Sequence, residues 1–250
     1  MSNKRGNALL MNYGGIRHFK TPTQQLVSVG HPVDLLTDIP SFALVPVSHE
    51  SVLLLLKRLV DFLSAIALLL ILSPVFLVLA LLIKLTSQGP VFFKQERIGH
   101  YRRPFTIWKF RTMLNDAESR AAELRQNCGG DVFFKLKNDP RVTPIGRVMR
   151  KYSLDELPQL FNVLSGEMSL VGPRPICAFE MERFGGWNQL RRFDMKPGLT
   201  CIWQVSGRSN TTDAARMNYD LQYVEDWSLL LDFKLLLRTV PVVVKGDGAV

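Results

Sequence analysis

FLSAIALLLILSPVFLVLALLI, residues 62–83, is an uncharged apolar run of 22 residues that decides the fold class. A helix rises about 1.5 Å per residue, so this run reaches roughly 33 Å, about the thickness of the hydrocarbon core of a bilayer. A cleaved signal peptide is the competing interpretation, but the run begins after 61 residues and no small-residue cleavage site follows it. The sequence therefore predicts a membrane segment.

Ser73 and Pro74 lie near the centre of this run, where a proline removes a backbone donor and kinks a helix. Basic residues flank both ends of the run: Lys57 and Arg58 before it, and Lys84, Lys94, Arg97, Arg102 and Arg103 after it. Cationic flanks prefer the cytoplasmic face, and a single span would leave one of them outside. We therefore predict a re-entrant helix broken at Ser73-Pro74, whose serine helps to satisfy the freed backbone groups, and keep a kinked single span as the alternative.

The chain divides by composition into three parts. Residues 1–50 form a variable N-terminal arm without sustained periodicity, residues 51–84 contain the membrane helix, and residues 85–250 are long enough for one compact domain. The three cysteines lie far apart without Cys-x-x-Cys spacing, which fits a reducing cytoplasm and argues against structural zinc. We predict an α+β fold, with a re-entrant membrane helix followed by a compact, mostly helical cytoplasmic domain that has a small β-hairpin and interfacial amphipathic helices.

Local patterns predict the elements of this domain. Apolar and aromatic residues at 91–93 and 105–110, with a turn at 99–104, indicate a β-hairpin. Helical patterns cover residues 115–126, 145–152, 156–164, 178–184 and 214–226. Residues 228–244 have apolar positions at helical spacing but are too charged to span a membrane. They fit an amphipathic helix in the headgroup plane and a helix packed on the domain's own core equally well.

The region after the membrane run is strongly basic. Residues 84–151 contain 15 Lys and Arg against 6 Asp and Glu, a net charge of +9, which favours attraction of a phosphate or diphosphate. The segment RKYSLDELPQ, residues 150–159, then places Asp155 and Glu156 side by side. A membrane-tethered module that binds nucleic acid or anionic lipid is an alternative for the basic charge, but it gives no reason for these carboxylates.

Two interpretations apply to Asp155 and Glu156. Ser153-Leu-Asp-Glu156 matches a capping box, in which the serine and glutamate side chains satisfy free amides at a helix start, and capping boxes are far commoner than active sites. Pro158 complicates a regular helix here, because it would delete an internal hydrogen bond. In the functional interpretation, an aspartate that is already ionised at neutral pH attacks a phosphorus atom.

A carboxylate approaches a diphosphate only when cations neutralise the charge of both. Glu156 is the candidate ligand for a hard metal such as Mg²⁺. The candidate cationic side chains are Lys109, Arg150, Arg174 and Arg208. Arg174 lies between two prolines and therefore loses little entropy on binding, although a solvated surface turn explains any one of these motifs as well.

Five motifs follow one another along the chain: FKQERIG at 93–99, WKFRTM at 108–113, NDPRVT at 138–143, SLDELPQ at 153–159 and MSLVGPRP at 168–175. Together they resemble the bacterial sugar transferase family, and the resemblance extends from about Leu54 to Gly246. These are monotopic polyprenyl-phosphate phosphoglycosyl transferases that initiate capsule, exopolysaccharide and O-antigen synthesis. Because the arm has no apolar run, the chain is similar to the short form of the family, without four additional membrane helices.

The resemblance implies a two-step transfer of sugar-1-phosphate from a UDP-sugar to undecaprenyl phosphate at the cytoplasmic face of the bacterial inner membrane, with Mg²⁺ and without nucleic acid. Asp155 matches the family's nucleophile, which attacks the β-phosphorus and expels UMP, and Glu156 matches its partner, associated with Mg²⁺. The other matching positions are the cations Lys109, Arg150, Arg174 and Arg208, the late supporting acid Asp232, and the helix break at Ser73 and Pro74. The candidate protein partners are a second copy of the chain and downstream glycosyltransferases.

One loop departs from the family pattern. Many relatives have Gly-Trp-Ala-Gln-Val-Asn-Gly-Arg where this chain has CIWQVSGR at 201–208, a variant that resembles the exopolysaccharide branch. Because this loop lies near the nucleotide in the family, the sugar stays open, and we expect a hexose, galactose or glucose. A hydrolase with an aspartyl-phosphate intermediate is the second alternative, and it would release free sugar phosphate.

Overall fold

The structure is a computed structural model that describes residues 48–115, 117, 139–183, 190–208 and 211–246. This part of the chain combines helices with two small two-stranded sheets, which confirms the mixed helical and sheet class. The predicted arm lies outside the described residues except for residues 48–50. The predicted helix at 115–126 also lies outside them except for residues 115 and 117.

Helix α1, Ser48–Thr86, contains the apolar run and has 39 residues. Among the described helices it is the one that is long and apolar enough to cross a membrane. The helix continues through Pro74, whose missing N–H leaves the Leu70 carbonyl without its usual donor. The Ser73 hydroxyl donates to that carbonyl at 2.8 Å, so the serine has the predicted role. Ser73-Pro74 do not end the helix, and the re-entrant path stays a prediction.

The predicted β-hairpin is confirmed. Strand β1, Phe92–Ile98, pairs antiparallel with strand β2, Pro104–Phe110, so that the first residue of β1 lies opposite the last residue of β2. The first strand is longer than predicted because pairing with β2 continues through its charged residues 94–97. The turn contains Tyr101 and Arg102, which both have positive φ.

The other helices of the described part are α2 Pro144–Lys151, α3 Leu160–Ser165, α4 Ala178–Arg183, α5 Ile202–Val205, α6 Asp213–Glu225 and α7 Leu229–Lys245. These confirm the helices predicted at 145–152, 178–184 and 214–226. The single helix predicted at 156–164 is wrong, because a 3-10 turn, Leu154–Gln159, precedes α3. Pro158 lies in this turn and has no N–H to donate in a regular α-helix.

A second sheet was not predicted. Strand β3, Ser169–Val171, pairs parallel with strand β4, Gly198–Thr200, and both are too short for a sequence pattern to mark them. Their backbones meet closely just after β3: a Cβ on Gly172 would lie 2.3 Å from the Lys196 carbonyl oxygen, and one on Gly198 would lie 2.0 Å from the Gly172 nitrogen. Glycine is therefore required at both positions for this approach.

Two apolar clusters pack α1 against the domain. The first joins Ala65 of α1 to buried residues of α3, β3, α6 and α7, including Leu160, Leu170, Tyr223 and Leu235. The second joins Leu79 and Ile83 of α1 to Phe110 and Met149. Both halves of α1 therefore contact the same domain.

Helix α7 has a buried face and an exposed apolar face. The buried face packs Asp232 and Leu235 against the domain, as the core-packing interpretation predicts. The other face exposes a stripe of large apolar side chains: Leu230, Phe233, Leu237, Val240 and Val244. Such a stripe is compatible with a helix in the headgroup plane, and that position stays a prediction.

Candidate active site

The 3-10 turn Leu154–Gln159 presents Asp155 and Glu156, here called the dyad, between α2 and α3. Ser153, just before the turn, has a left-handed backbone with φ of 54°, an uncommon conformation for a residue other than glycine. Leu160 and Val163, which follow the turn, are buried in the first apolar cluster. The turn is thus fixed by packing on its C-terminal side.

The capping-box interpretation is wrong. The Ser153 side chain makes no capping hydrogen bond, and its hydroxyl accepts one from Nη2 of Arg208 at 2.8 Å instead. The Glu156 side chain also points away from the helix start, and only its backbone amide bonds to the Ser153 carbonyl. Both side chains of the pattern therefore take part in long-range contacts rather than in local capping.

Glu156 is held by two cations. Its Oε1 atom accepts hydrogen bonds from Nζ of Lys109 at 2.7 Å and from Nη2 of Arg174 at 3.2 Å. Burial alone would raise the pKa of Glu156, but the charges and hydrogen bonds of Lys109 and Arg174 overcome this and hold the pKa well below its usual range. Glu156 is therefore ionised at neutral pH.

Asp155 has the opposite electrostatics. Its side chain is buried, and this burial, together with the negative charge of Glu156, raises its pKa although Lys109 and Arg150 act to lower it. Within the described part of the chain no other side chain donates a hydrogen bond to the Asp155 carboxylate. The dyad thus pairs a carboxylate held by two cations with one that accepts no hydrogen bond from another described side chain. Two pKa values pushed apart in this way are typical of active sites.

Arg150 lies beside Asp155 and is oriented by a residue of the WKFRTM motif. Its Nε donates to the Thr112 hydroxyl at 3.0 Å. Burial lowers the pKa of Arg150, and the charge of Asp155 acts in the opposite direction. Thr112 was not predicted as a site residue, although it belongs to one of the five motifs that carry the family resemblance.

Arg174 follows β3 in a loop with proline on both sides. Its guanidinium carbon lies 5.3 Å from the centroid of the Trp203 ring, which contributes a cation–π contact. Trp203 belongs to the CIWQVSGR motif but had no predicted role. The structure thus brings Lys109, Arg150 and Arg174 near the dyad. Arg208 bonds to Ser153, the residue just before the turn that carries the dyad.

Asp232 lies in a different cluster. Its Oδ2 accepts from Nζ of Lys57 at 2.5 Å and from the indole of Trp227 at 3.3 Å, and its Oδ1 accepts from the Tyr223 hydroxyl at 2.7 Å. We call Lys57, Tyr223, Trp227 and Asp232 the anchor cluster, because Lys57 belongs to α1. Lys57 also donates to the carbonyl of Val171 at the end of β3, and the oxygen of the Tyr223 hydroxyl lies 2.9 Å from the same carbonyl oxygen. Asp232 therefore ties the membrane-length helix to the domain, and Lys57 is the partner that charge patterning did not identify.

The dyad fits one mode of magnesium binding. Among the described residues, no group of three or more His, Cys, Asp or Glu side chains is arranged to hold a metal alone. Magnesium is commonly bound through one or two carboxylates together with substrate phosphates, and two adjacent carboxylates meet that requirement. Because Oε1 of Glu156 already accepts from Lys109 and Arg174, the phosphates of a substrate would have to complete the ligand set.

A paired carboxylate site surrounded by cations, on a domain tied to a membrane-length apolar helix, belongs to the class of membrane-associated enzymes that act on phosphate-bearing substrates. Comparison with known proteins agrees with this class. The model of the bacterial sugar transferase family matches residues 52–246. The chain therefore belongs to the bacterial sugar transferase family.

Individual relatives indicate the exopolysaccharide type. The chain is 42% identical over 199 residues to the exopolysaccharide production protein ExoY of Rhizobium meliloti, over 77% of this chain and 87% of that protein. It is 40% identical over 247 residues to the undecaprenyl-phosphate galactose phosphotransferase of Salmonella typhimurium, over 88% of this chain and 51% of that protein. It is 41% identical over 194 residues to the UDP-glucose:undecaprenyl-phosphate glucose-1-phosphate transferase of Klebsiella pneumoniae, over 74% of this chain and 39% of that protein. The match thus spans most of ExoY and about half or less of the other two.

Proposed function

We propose that this protein transfers a sugar-1-phosphate from a UDP-sugar to undecaprenyl phosphate through a covalent intermediate on Asp155. The transfer takes place on the cytoplasmic face of the bacterial inner membrane and initiates the synthesis of an exopolysaccharide, capsule or O-antigen. The names of the Salmonella and Klebsiella relatives support this reaction class.

The observation that carries the proposal is the contrast within the dyad. Glu156 has two cationic partners and is held in place, whereas the neighbouring Asp155 carboxylate accepts no hydrogen bond from another described side chain. A nucleophile needs unengaged lone pairs, and a poorly solvated carboxylate is more reactive than a hydrated one. Asp155 is therefore the residue of the dyad suited to attack a phosphorus atom.

Each half-reaction exchanges one P–O bond for another. In the first, an oxygen of Asp155 bonds to the β-phosphorus, the bond from this phosphorus to the bridging oxygen breaks, and UMP leaves with that oxygen and its electron pair. In the second, a phosphate oxygen of undecaprenyl phosphate attacks the same phosphorus and the Asp155 oxygen leaves. The products are a lipid-linked diphosphosugar and the regenerated carboxylate.

The cations near the dyad offset the repulsion between the carboxylate and the diphosphate. Lys109 and Arg174 neutralise Glu156, and the charges of Lys109 and Arg150 act on Asp155. These side chains would contact the phosphates of a donor bound at the dyad. Arg208 joins the CIWQVSGR loop to Ser153. A UDP-sugar that contacts this loop would therefore also affect the position of the turn that carries the dyad. These four side chains act by electrostatic stabilisation of transferring phosphate charge.

We propose that Glu156 helps to hold Mg²⁺ together with the phosphates of the donor. The ion would supply additional neutralisation of the diphosphate, which lowers the cost of bringing a carboxylate to the phosphorus. Lys109 and Arg174 keep Glu156 ionised, and an ionised carboxylate is the form that binds a hard cation. Full turnover in the presence of EDTA would contradict this requirement for a divalent metal.

The packing of α1 supports a re-entrant path. Ala65 in the first half and Ile83 in the second are fully buried against the same domain, whereas much of the surface between them is apolar and exposed. A helix crossing the bilayer would carry one of these contacts away from a domain on the cytoplasmic side. A cysteine introduced into residues 1–50 of a variant without native cysteines should react with an impermeant reagent only after sealed cells are opened, and labelling from outside would contradict the re-entrant path.

The donor sugar is proposed to be galactose or glucose. Among the relatives compared, three are named for galactose and one for glucose, so the names favour a hexose. Transfer from UDP-N-acetylhexosamines and not from UDP-hexoses would contradict this choice.

The mechanism is tested with a donor that carries ³²P in its β-phosphate. Purified protein is mixed with Mg²⁺ and labelled UDP-galactose or UDP-glucose without lipid, and the denatured protein is counted. We expect one label per active site in the wild-type protein, none in Asp155→Asn, and release of the label into a lipid-linked product when undecaprenyl phosphate is added.

The same experiment separates the alternatives. A hydrolase would label Asp155 but release free sugar phosphate without lipid. A binding module would show no UMP release from the wild-type protein with any UDP-sugar, and that result would overturn the proposal.

A further inference from the structure

The backbone of Arg174 is held by a buried ion pair that lies outside the dyad. Nη2 of Arg192 donates to the Arg174 carbonyl at 2.7 Å and to Oδ2 of Asp220 at 2.6 Å. The Arg192 and Asp220 side chains are only 4% and 3% exposed. One guanidinium nitrogen with almost no access to water thus bridges the Asp220 carboxylate and a backbone atom of a cationic site residue.

Helix α6 supports Arg174 a second time. Arg216, one turn before Asp220 on this helix, lies 5.0 Å from the centroid of the Trp203 ring. The guanidinium of Arg174 contacts the same ring at 5.3 Å. One face of α6 therefore fixes the backbone of Arg174 through Arg192 and its side chain through Trp203.

Stability alone gives no reason for a charged pair at this place. Buried ion pairs add little net stability, and apolar residues of similar volume often pack as well or better. Burial raises the pKa of Asp220 to about 6, although the charge of Arg192 and the backbone of Arg174 act to lower it. An apolar pair, however, has no donor for the Arg174 carbonyl.

We propose that Asp220, acting through Arg192, is a positioning residue that sets Arg174 in place for the diphosphate of the donor. The inference rests on the proposed function, in which Arg174 contacts the phosphates. Arg174 has proline on both sides, so neither neighbour has an N–H to fix the loop, and the amide of Gly198 holds only the preceding carbonyl, that of Pro173, at 2.8 Å. Without the bond from Nη2 of Arg192 to its carbonyl, Arg174 loses the fixed distance between its guanidinium and Glu156. Displacements of about 1 Å can cost up to 10²-fold in rate.

The test is a double-mutant cycle between Asp220→Asn and Arg174→Ala. Initial rates of UMP release are measured against UDP-galactose and UDP-glucose at saturating undecaprenyl phosphate. We expect Asp220→Asn to lower kcat/KM for the donor about tenfold in the wild-type background and less than twofold when Arg174 is already alanine. A residue that acts through Arg174 has nothing left to position once that side chain is removed.

Matched controls separate positioning from general destabilisation. Val224→Ala removes partly buried apolar atoms from the same helix, so it should lower the unfolding temperature without lowering kcat/KM for the donor. Asp226→Asn removes an exposed charge just after α6 and should change neither quantity. Arg192→Lys keeps the charge of the pair, but its shorter side chain does not place a nitrogen where Nη2 bridges the two acceptors, so it should reproduce the effect of Asp220→Asn.

Three outcomes would overturn the inference. Equal losses in both backgrounds would mean that Asp220 acts independently of Arg174, and unchanged kcat/KM would mean that the pair positions nothing. If neither Asp220→Asn nor Arg192→Lys keeps the wild-type fold, the pair is a folding element only. Failure of the proposed function is distinguishable from all three, because the wild-type protein itself would then release no UMP.

Discussion

The dyad and the anchor cluster use similar groups for different purposes. Each contains a buried aspartate near a lysine, Asp155 near Lys109 and Asp232 beside Lys57. In the anchor cluster three side chains donate to Asp232, and both of its oxygens have partners. In the dyad the donors go to Glu156, and Asp155 is left without one from another described side chain.

The difference teaches that hydrogen-bond satisfaction, more than charge or burial, separates a structural carboxylate from a reactive one. A buried acid with every oxygen bonded is fixed in one geometry, and breaking that geometry costs stability. A buried acid that accepts no hydrogen bond from another side chain is not fixed in this way, and its lone pairs remain available to a substrate. Sequence position does not distinguish the two cases, since both aspartates lie near the start of a helical segment.

The largest expected effect is the loss of activity in Asp155→Asn. The amide cannot act as the nucleophile, so UMP release should fall on the order of 10³-fold or more. Asp232→Asn should keep a far larger share of its activity per folded molecule, because Asp232 contacts no member of the dyad. The measurement is single-turnover UMP release normalised to correctly folded protein, and comparable losses in the two variants would break the comparison.

The second effect is the loss of stability in Asp232→Asn. This change leaves Lys57 buried without its anionic partner, which typically costs about 3–5 kcal/mol. Thermal unfolding in detergent should show the decrease, and combining the change with Lys57→Met should recover part of it because the buried lysine charge is then removed as well. If the double variant were as unstable as the sum of its two changes, the pair would not be coupled.

The third prediction concerns pH and the direction of the pKa shift of Asp155. Burial raises this pKa above its ordinary value of 3.8, so the folded state loses stability relative to the unfolded state as pH rises from that value through the raised pKa. Asp155→Asn should therefore raise the unfolding temperature at pH 7, with the gain disappearing below about pH 4. The rate of UMP release in the wild-type protein should fall as pH decreases through the raised pKa, because the carboxylate becomes protonated.

The other member of the dyad provides the matched control for this pH dependence. Lys109 and Arg174 hold the pKa of Glu156 well below its usual range despite burial, so its contribution to stability is present at neutral pH and is lost as pH falls. Glu156→Gln should accordingly lower the unfolding temperature at pH 7. A stabilising effect of Glu156→Gln together with a destabilising effect of Asp155→Asn would reverse the assigned electrostatics.

Much of this arrangement could be predicted from the sequence. The apolar run, the β-hairpin and most helices follow from periodicity and composition, and the ordered motifs contain the two residues of the dyad and cations that the structure places near them. The different hydrogen bonding of Asp155 and Glu156 could not be predicted. The sequence around them matches a local capping pattern, but the Ser153 and Glu156 side chains bond to residues far away along the chain. Arg208 lies 55 residues from Ser153 and Lys109 lies 47 residues from Glu156. Packing, not local sequence, decides which partner a side chain takes.

The anchor cluster and the pair of Arg192 and Asp220 illustrate the same limit. From the sequence, Lys57 is predicted only as a basic flank of the membrane run, whereas in the structure it donates to Asp232, 175 residues away. Strands β3 and β4 have three residues each, too few for an alternating pattern, yet they place Val171 within reach of Lys57 and Tyr223. Such contacts arise from the topology that joins α1, β3 and α7.

The smallest expected effect is that of Tyr223→Phe, which removes one hydroxyl from the anchor cluster. That hydroxyl donates to Oδ1 of Asp232 at 2.7 Å and lies 2.9 Å from the Val171 carbonyl, and the ring is fully buried. Losing it should cost about 1–2 kcal/mol of unfolding free energy, because the variant keeps the ring packing but leaves Oδ1 without this donor. Thermal unfolding should show the decrease while kcat for UMP release stays within about twofold of the wild-type value. A decrease in kcat without a decrease in stability would mean that the anchor cluster reaches the dyad through Val171 and Arg174, and the separation between the two regions would then fail.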